Sequence, residues 1–412
     1  VRPIETRHDT GGDRSLSAEF FVEENRWAIG FAAIIGNPVA VPDITSVSLV
    51  NAPIGTSADP LLCEIAGGKG VLPDQALASC LGEAFERYAL ATSDRRHVLV
   101  GTLAQVERAV DVAAIFGFPV LDEHPSISTF ERNTVLEWLD GTELTTGVSV
   151  RVPANFALCP YVNGESAVIV AGSTNGAAAG ASRSDARAQA LREIVERDAF
   201  WFYARTGADP LLIDVTTLPD GIVEIMREFD GEFAVAALPN PFEAPVANVT
   251  FRSGSAFQAK CARGSGHAAT LVDAIRRAFA ECIQMLYSLD SGIDVEASPT
   301  DMRSLWFNGT ALQAMPNFFH SAARPASLEK ARNVFTENQS TGQLLESAAE
   351  QGQTVLEIPL VGEPGFSVVK VLMSGASVSD ATYFAACERL AEFSELVGHS
   401  SPDVKYHGSL FM

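Results

Sequence analysis

Gly180–Gly207, GASRSDARAQALREIVERDAFWFYARTG, is the stretch that decides the fold. It reads as one long helix. Ser184 and Asp185 can cap its start, Ala, Leu, Arg and Glu fill its turns, and Gly207 can stop it. Glu193 and Glu196, three apart, share a helical face, with Arg197 next to the second. Immediately upstream, STNGAAAG (Ser173–Gly180) reads as a small-residue loop after the apolar run Ala167–Ala171. A strand, a small-residue loop and a helix bearing two carboxylates is the layout of a nucleotide or metal site. By itself such a pair is ordinarily a solvated face.

The pattern recurs on both sides. Upstream, QALASCLGEAFERYA (Gln75–Ala89) places Ser79, Glu83 and Glu86 four and three apart, again followed by an arginine, Arg87. Downstream, LVDAIRRAFAECIQML (Leu271–Leu286) carries Arg277, Glu281 and Gln284. All three stretches are otherwise apolar enough to be largely buried, and carboxylates on buried helices need partners. Bound divalent cations would supply them.

These blocks, together with GGKG at Gly67–Gly70, STNG and the late R-A-x-x-E-x-x-Q, resemble the YcaO family of ATP-dependent enzymes that modify peptide backbones. The resemblance runs from about Glu64 to about Ala385. It implies an α/β fold of the family's type: mixed sheets packed with helices, and three acidic helices converging on a nucleotide/Mg2+ site. It places Glu83, Glu86, Glu193, Glu196 and Glu281 as Mg2+ ligands. Ser79, Lys69, Glu83, Asn175, Arg197 and Gln284 fall at the ATP, and Arg197, Glu193 and Glu196 form the catalytic set. Asp198 follows Arg197 and serves equally well as a cap or a positioning group. Arg277 reads as an internal salt-bridge partner rather than a catalytic group. Neither His267 nor His320 is assigned as a base.

The implied domains are an N-terminal segment at residues 1–60 packed on the main domain, a catalytic domain at 61–397 and a C-terminal tail at 398–412. The segment Phe130–Val152, with W-x-x-G-x-x-L-x-x-G, looks like the cyclodehydratase branch. That branch forms thiazoline and (methyl)oxazoline rings from Cys, Ser or Thr in a ribosomally made precursor peptide. The side-chain nucleophile attacks the preceding amide carbonyl, ATP phosphorylates its oxygen, and phosphate leaves as the C=N bond forms. Thioamide formation, amidine formation and a non-catalytic peptide-binding scaffold stay open as alternatives. The expected partners are the precursor peptide, a separate leader-peptide-binding protein of the E1-like (ThiF-like) type, and a second copy of the chain. Many partner-dependent members end in a proline-rich tail, whereas this sequence ends HSSPDVKYHGSLFM (399–412) with Pro402 alone.

Composition sets the bounds. The 412 residues are 47% hydrophobic and 19% charged, enough for a sizeable core. A formal charge of -22 argues against general nucleic-acid binding. Neither a signal-peptide pattern nor an apolar 20-mer is seen, so a cytoplasmic chain without membrane spans is expected. Lys69 is followed by Gly70, and GGKG does not complete a P-loop. Among the six scattered cysteines no C-x-x-C occurs, and Cys80 and Cys282 are expected as buried apolar groups.

Along the rest of the chain, helix is expected over Leu103–Phe116 and Ser379–Val397, and a turn at Asp140-Gly141. Strands are expected at Val98–Gly101, Val148–Val152, Leu211–Val215, Phe233–Leu238, Val246–Phe251 and Phe366–Met373.

Overall fold

The computed structural model describes residues 39–40, 48–54, 64–70, 73–92, 98–111, 115, 133–159, 173–290, 302–320, 324–363, 365–376 and 388–399. In chain order the elements are β1 (Val39–Ala40), β2 (Ser48–Ile54), β3 (Glu64–Gly70), α1 (Pro73–Thr92), β4 (Leu99–Gly101), β5 (Leu136–Glu143), β6 (Ser149–Pro153) and β7 (Ala177–Gly180). Then follow α2 (Arg183–Thr206), β8 (Leu211–Ile213), β9 (Gly231–Ala237), β10 (Val246–Ser253), β11 (Cys261–His267) and α3 (Leu271–Asp290). The chain continues through α4 (Thr341–Glu350), β12 (Val355–Glu363), β13 (Phe366–Met373) and α5 (Glu388–Leu396), with shorter helical turns between.

The chain divides into two compact units, and α2 contributes to both: its residues through Leu191 belong to the first and those from Arg192 to the second. The first unit holds two sheets. β1-β2-β3 form an antiparallel three-stranded sheet, and β4-β5-β12-β13-β7 form the spine of a six-stranded one, with β6 paired to β5. Here α1 packs directly on β3, and Phe85 meets Phe366 of β13 edge to face at 5.2 Å. Buried Glu357 of β12 receives both Arg183 and Arg187 from the first turns of α2, so an otherwise costly buried carboxylate is satisfied twice. The second unit is built on the antiparallel sheet β11-β10-β9-β8, crossed by α3. Phe233, Phe251 and Phe279 fill the space beneath that helix, with Phe233 4.5 Å from Phe251 and 5.3 Å from Phe279.

The same device appears three times: a strand with glycines on one face lies directly under the helix that follows it. A Cβ on Gly68 of β3 would stand 1.9 Å from Ala76 O and 2.4 Å from Cys80 N of α1. One on Gly180 of β7 would stand 2.4 Å from Ala186 N of α2, and one on Gly264 of β11 would stand 2.2 Å from Ala278 O of α3. Only the absence of a side chain lets backbone approach backbone this closely.

Several expectations change as a result. GGKG forms strand β3, and Gly264-Ser265-Gly266 lie inside β11. In STNGAAAG only the first four residues form a turn, and the rest is β7. Asp140 and Gly141 lie within β5. The turn falls at residues 144–147, where Gly147 has φ +72°, and Gly141 is small because Val152 and Glu357 O lie within 3.2 Å of where its Cβ would be. Residues 103–108 form turns rather than helix, while most of 112–116 lies outside the described residues. The cap of α2 is Ser182, whose Oγ accepts from Asp185 N and donates to Asp185 Oδ2; Ser184 and Asp185 stand two and three residues too late. Gly207 does end the helix, at φ +70°.

The strands expected at 98–101, 148–152, 211–215, 233–238, 246–251 and 366–373 are present within a few residues. The final helix is seen as α5; residues 377–387, its expected beginning, lie outside the described residues. The apolar run Ala167–Ala171 lies outside them as well, as do residues 1–38 of the N-terminal segment and 400–412 of the tail. Among the described residues no helix is long and apolar enough to cross a membrane.

Candidate active site

In the second unit the sequence RGSGH of β11 sorts itself by strand alternation. Gly264 and Gly266 face α3, which leaves Arg263, Ser265 and His267 on the opposite face. This face meets the acidic stretch of α2. Arg197 is the centre of the cluster: its Nη1 lies 3.3 Å from Glu196 Oε1 and 3.8 Å from Glu281 Oε1, and its Nε lies 3.7 Å from Glu193 Oε1. Burial works against the guanidinium charge, but Glu196, Glu281 and Glu193 together override it and raise its pKa above the usual arginine value. Arg197 Nη1 also donates to Ser265 Oγ at 3.2 Å.

Ser265 accepts a second bond, from Arg263 Nη1 at 3.3 Å. Arg263 is buried, with its guanidinium 4.1 Å from the Phe200 ring centroid and 5.8 Å from that of Trp306. Burial pushes its pKa down to about 9, partly offset by Glu281 and reinforced by the neighbouring Arg197 charge. His267 ties the two elements together. Its backbone N–H donates to Glu196 Oε2 at 3.1 Å, and its Nδ1 lies 3.1 Å from the Arg192 carbonyl, which can only accept. Burial lowers its pKa to about 4, which keeps the ring neutral and assigns the proton to Nδ1. It is an anchor for Glu196 and shows no sign of the exposure a base would need.

Three carboxylates, Glu193, Glu196 and Glu281, thus gather about one guanidinium, with Arg263 joined to it through Ser265. Hard carboxylate oxygens suit Mg2+. As they stand, they are arranged about Arg197; among the described residues no three acidic, imidazole or thiol groups form a closed metal-ligand set. Gln284, half-buried, lies one turn beyond Glu281 on α3. Asp198 is fully buried and points away from a solvent-facing role, and Arg277 is exposed.

In the first unit the expected residues sit differently. Ser79 is exposed on α1, while Glu83 and Glu86 are half-buried on the same helix. Glu83 pairs locally with Arg87, 2.9 Å from Nη2 and 3.0 Å from Nε, across one helical turn. Lys69, half-buried, alternates with Gly68 and Gly70 and so projects from the face of β3 that α1 does not cover. Asn175 is half-buried in the turn before β7, and its N–H donates to Ser173 Oγ at 3.1 Å. Cys80 and Cys282 are buried, as expected of apolar groups.

Sequence reasoning missed Arg263 and Ser265. The signal was present: polar side chains at every second position, 263, 265 and 267, separated by glycines.

Comparison with known proteins agrees with this architecture. The family model described as YcaO cyclodehydratase, ATP- and Mg2+-binding, matches residues 67–377. A heterocyclase solved in complex with substrate and cofactor superposes over 100% of this chain and 59% of its own, with TM-score 0.80 and 19% identity. The YcaO protein of Methanopyrus kandleri, solved with AMPPCP and Mg2+, superposes over 90% of this chain and 94% of its own, with TM-score 0.67 and 20% identity. An uncharacterized protein of Methanothermobacter thermautotrophicus is 30% identical over 199 residues, 46% of this chain and 48% of its own. The chain thus spans about half the length of that relative and little more than half of the heterocyclase. With a family match across 311 residues, the chain belongs to the YcaO cyclodehydratase family.

Proposed function

We propose that this protein uses ATP and Mg2+ to convert Cys, Ser or Thr of a ribosomally made precursor peptide into thiazoline or (methyl)oxazoline rings. The observation that carries the reading is the cluster of Glu193, Glu196 and Glu281 about Arg197. Family membership and the fold shared with a heterocyclase support it.

In the proposed chemistry the side-chain thiol or hydroxyl attacks the preceding carbonyl carbon. The carbonyl oxygen takes the γ-phosphoryl group of ATP, and it departs as phosphate when the C=N bond forms. The balance is one water removed from the peptide and one ATP converted to ADP and phosphate. Glu193, Glu196 and Glu281, with Glu83 and Glu86 of α1, would hold Mg2+, which when bound offsets phosphate charge. The convergence of all three acidic helices on one nucleotide is part of this proposal. Arg197 is the residue assigned to the phosphate oxygens, and its raised pKa keeps it charged for that task. Ser79, Lys69, Asn175 and Gln284 are assigned to the nucleotide. A separate leader-peptide-binding protein presents the substrate.

Mass spectrometry of candidate precursor peptides, incubated with the chain, its partner, ATP and Mg2+, tests the reading. Loss of one water per modified residue, abolished by Glu193→Gln with Glu196→Gln, is the expected result. Exchange of oxygen for sulfur would replace ring formation by thioamidation. An unchanged peptide that still binds would leave a non-catalytic scaffold.

A further inference from the structure

Lys370 lies in β13, buried at 1% exposure, and its Nζ donates to two main-chain carbonyls of one loop, Ser173 O and Asn175 O, each at 2.5 Å. A buried ammonium demands acceptors, and its three donors can serve more than one at a time. What these acceptors belong to gives the contact its meaning. Ala177 N donates to Thr174 O at 2.9 Å, and Gly176 between them has φ +78°. Thr174–Ala177 is therefore a turn with Asn175 and Gly176 at its centre, in the form that needs positive φ at its third residue.

That form differs from the commoner one by a flip of the central peptide, the bond between Asn175 and Gly176. Lys370 grips the carbonyl of that very peptide. The neighbouring residue of β13 secures the next one, since Val371 N donates to Gly176 O at 2.7 Å. Two consecutive peptides of the turn are thus fixed by two consecutive residues of one strand, with Gly176 between them and Asn175 immediately before.

We propose that Lys370 is a positioning residue for nucleotide binding. It presets the turn that carries Asn175 and acts on ATP affinity without touching ATP. This rests on the reading that Asn175 meets the nucleotide. Removing the ammonium lets the central peptide flip and spreads Asn175 over several orientations, which weakens binding and leaves the reacting groups of the second unit unaltered.

The test is steady-state kinetics in ATP together with calorimetric binding of a non-hydrolysable ATP analogue with Mg2+. Lys370→Met is expected to raise KM for ATP by about tenfold while kcat changes by less than about threefold. Lys370→Gln, which can still donate to the carbonyls, should fall between. Gly176→Ala, which opposes the same turn through its φ and keeps the cation, should reproduce the KM effect if Lys370→Met does not fold. Any of these variants folding with unchanged KM and analogue affinity overturns the proposal. Asn175→Ala separates the causes. If it weakens binding while Lys370→Met does not, only the role of Lys370 fails. If neither weakens binding, the assignment of this turn to the nucleotide fails with it.

Discussion

α1 on β3 and α3 on β11 are the same construction put to different ends. In both, glycines at alternate strand positions bring a helix into backbone contact, and in both the helix carries acid three residues before a second polar group. They differ in what the other strand face and the acids do. β11 carries Arg263, Ser265 and His267, and its cluster binds Glu281 to Glu193 and Glu196 of another helix through one half-buried arginine. β3 carries Lys69, and Glu83 of α1 pairs with Arg87 one turn away, both about one-third exposed. The second unit is preorganised, with its acids already fixed in place. In the first, the contact of Glu83 with Arg87 is one that water can replace.

The comparison breaks most sharply at Arg197. Arg197→Met should leave three carboxylates facing each other and lower turnover by about 10²–10³-fold, the usual cost of removing one electrostatic donor from an active site. Measured kcat with the protein still folded would show this, and near-normal turnover would make the preorganisation irrelevant.

Next come the packing glycines, where the two units should behave alike. Gly68→Ala and Gly264→Ala each drive a Cβ into helix backbone, 1.9 Å from Ala76 O and 2.2 Å from Ala278 O, and should each destabilise by about 3 kcal/mol. Denaturant titration of both variants measures it. A loss in only one would show that the resemblance between the units is superficial.

Gly82 sharpens the point with the opposite sign. It lies within α1 with nothing within 4 Å of where a Cβ would go, so Gly82→Ala should stabilise by about 0.5–1 kcal/mol through helix propensity alone. The smallest effect belongs to Arg87→Ala. Its exposed i,i+4 pair with Glu83 contributes about 0.3–0.5 kcal/mol, a slight shift in the denaturation midpoint that shrinks further in salt.

How much of this was legible follows from what each signal encodes. The three acidic helices were readable because period, composition and a stop residue such as Gly207 act locally. Phe366–Met373 was readable because a buried strand is simply apolar. The glycine strands were not. Gly68, Gly141 and Gly264 are small because a backbone or a side chain from elsewhere in the sequence lies against them, and local reading takes such glycines for turns. The cap of α2 is Ser182, two to three residues before the expected Ser184 and Asp185, because several polar residues stand together there and only backbone geometry selects among them. Within the site, the acids and Arg197 were found by spacing. Lys370 could not be, since its contacts lie nearly two hundred residues upstream.

The most direct test of the central claim, that the acidic cluster about Arg197 exists to receive Mg2+ with ATP, is calorimetric titration of a non-hydrolysable ATP analogue into the chain with and without Mg2+, for the wild type and for Glu281→Gln. The account predicts binding that Mg2+ strengthens by at least about tenfold in the wild type, with most of that gain lost in the variant. Equal affinity with and without Mg2+, or a full Mg2+ effect in Glu281→Gln, would contradict it.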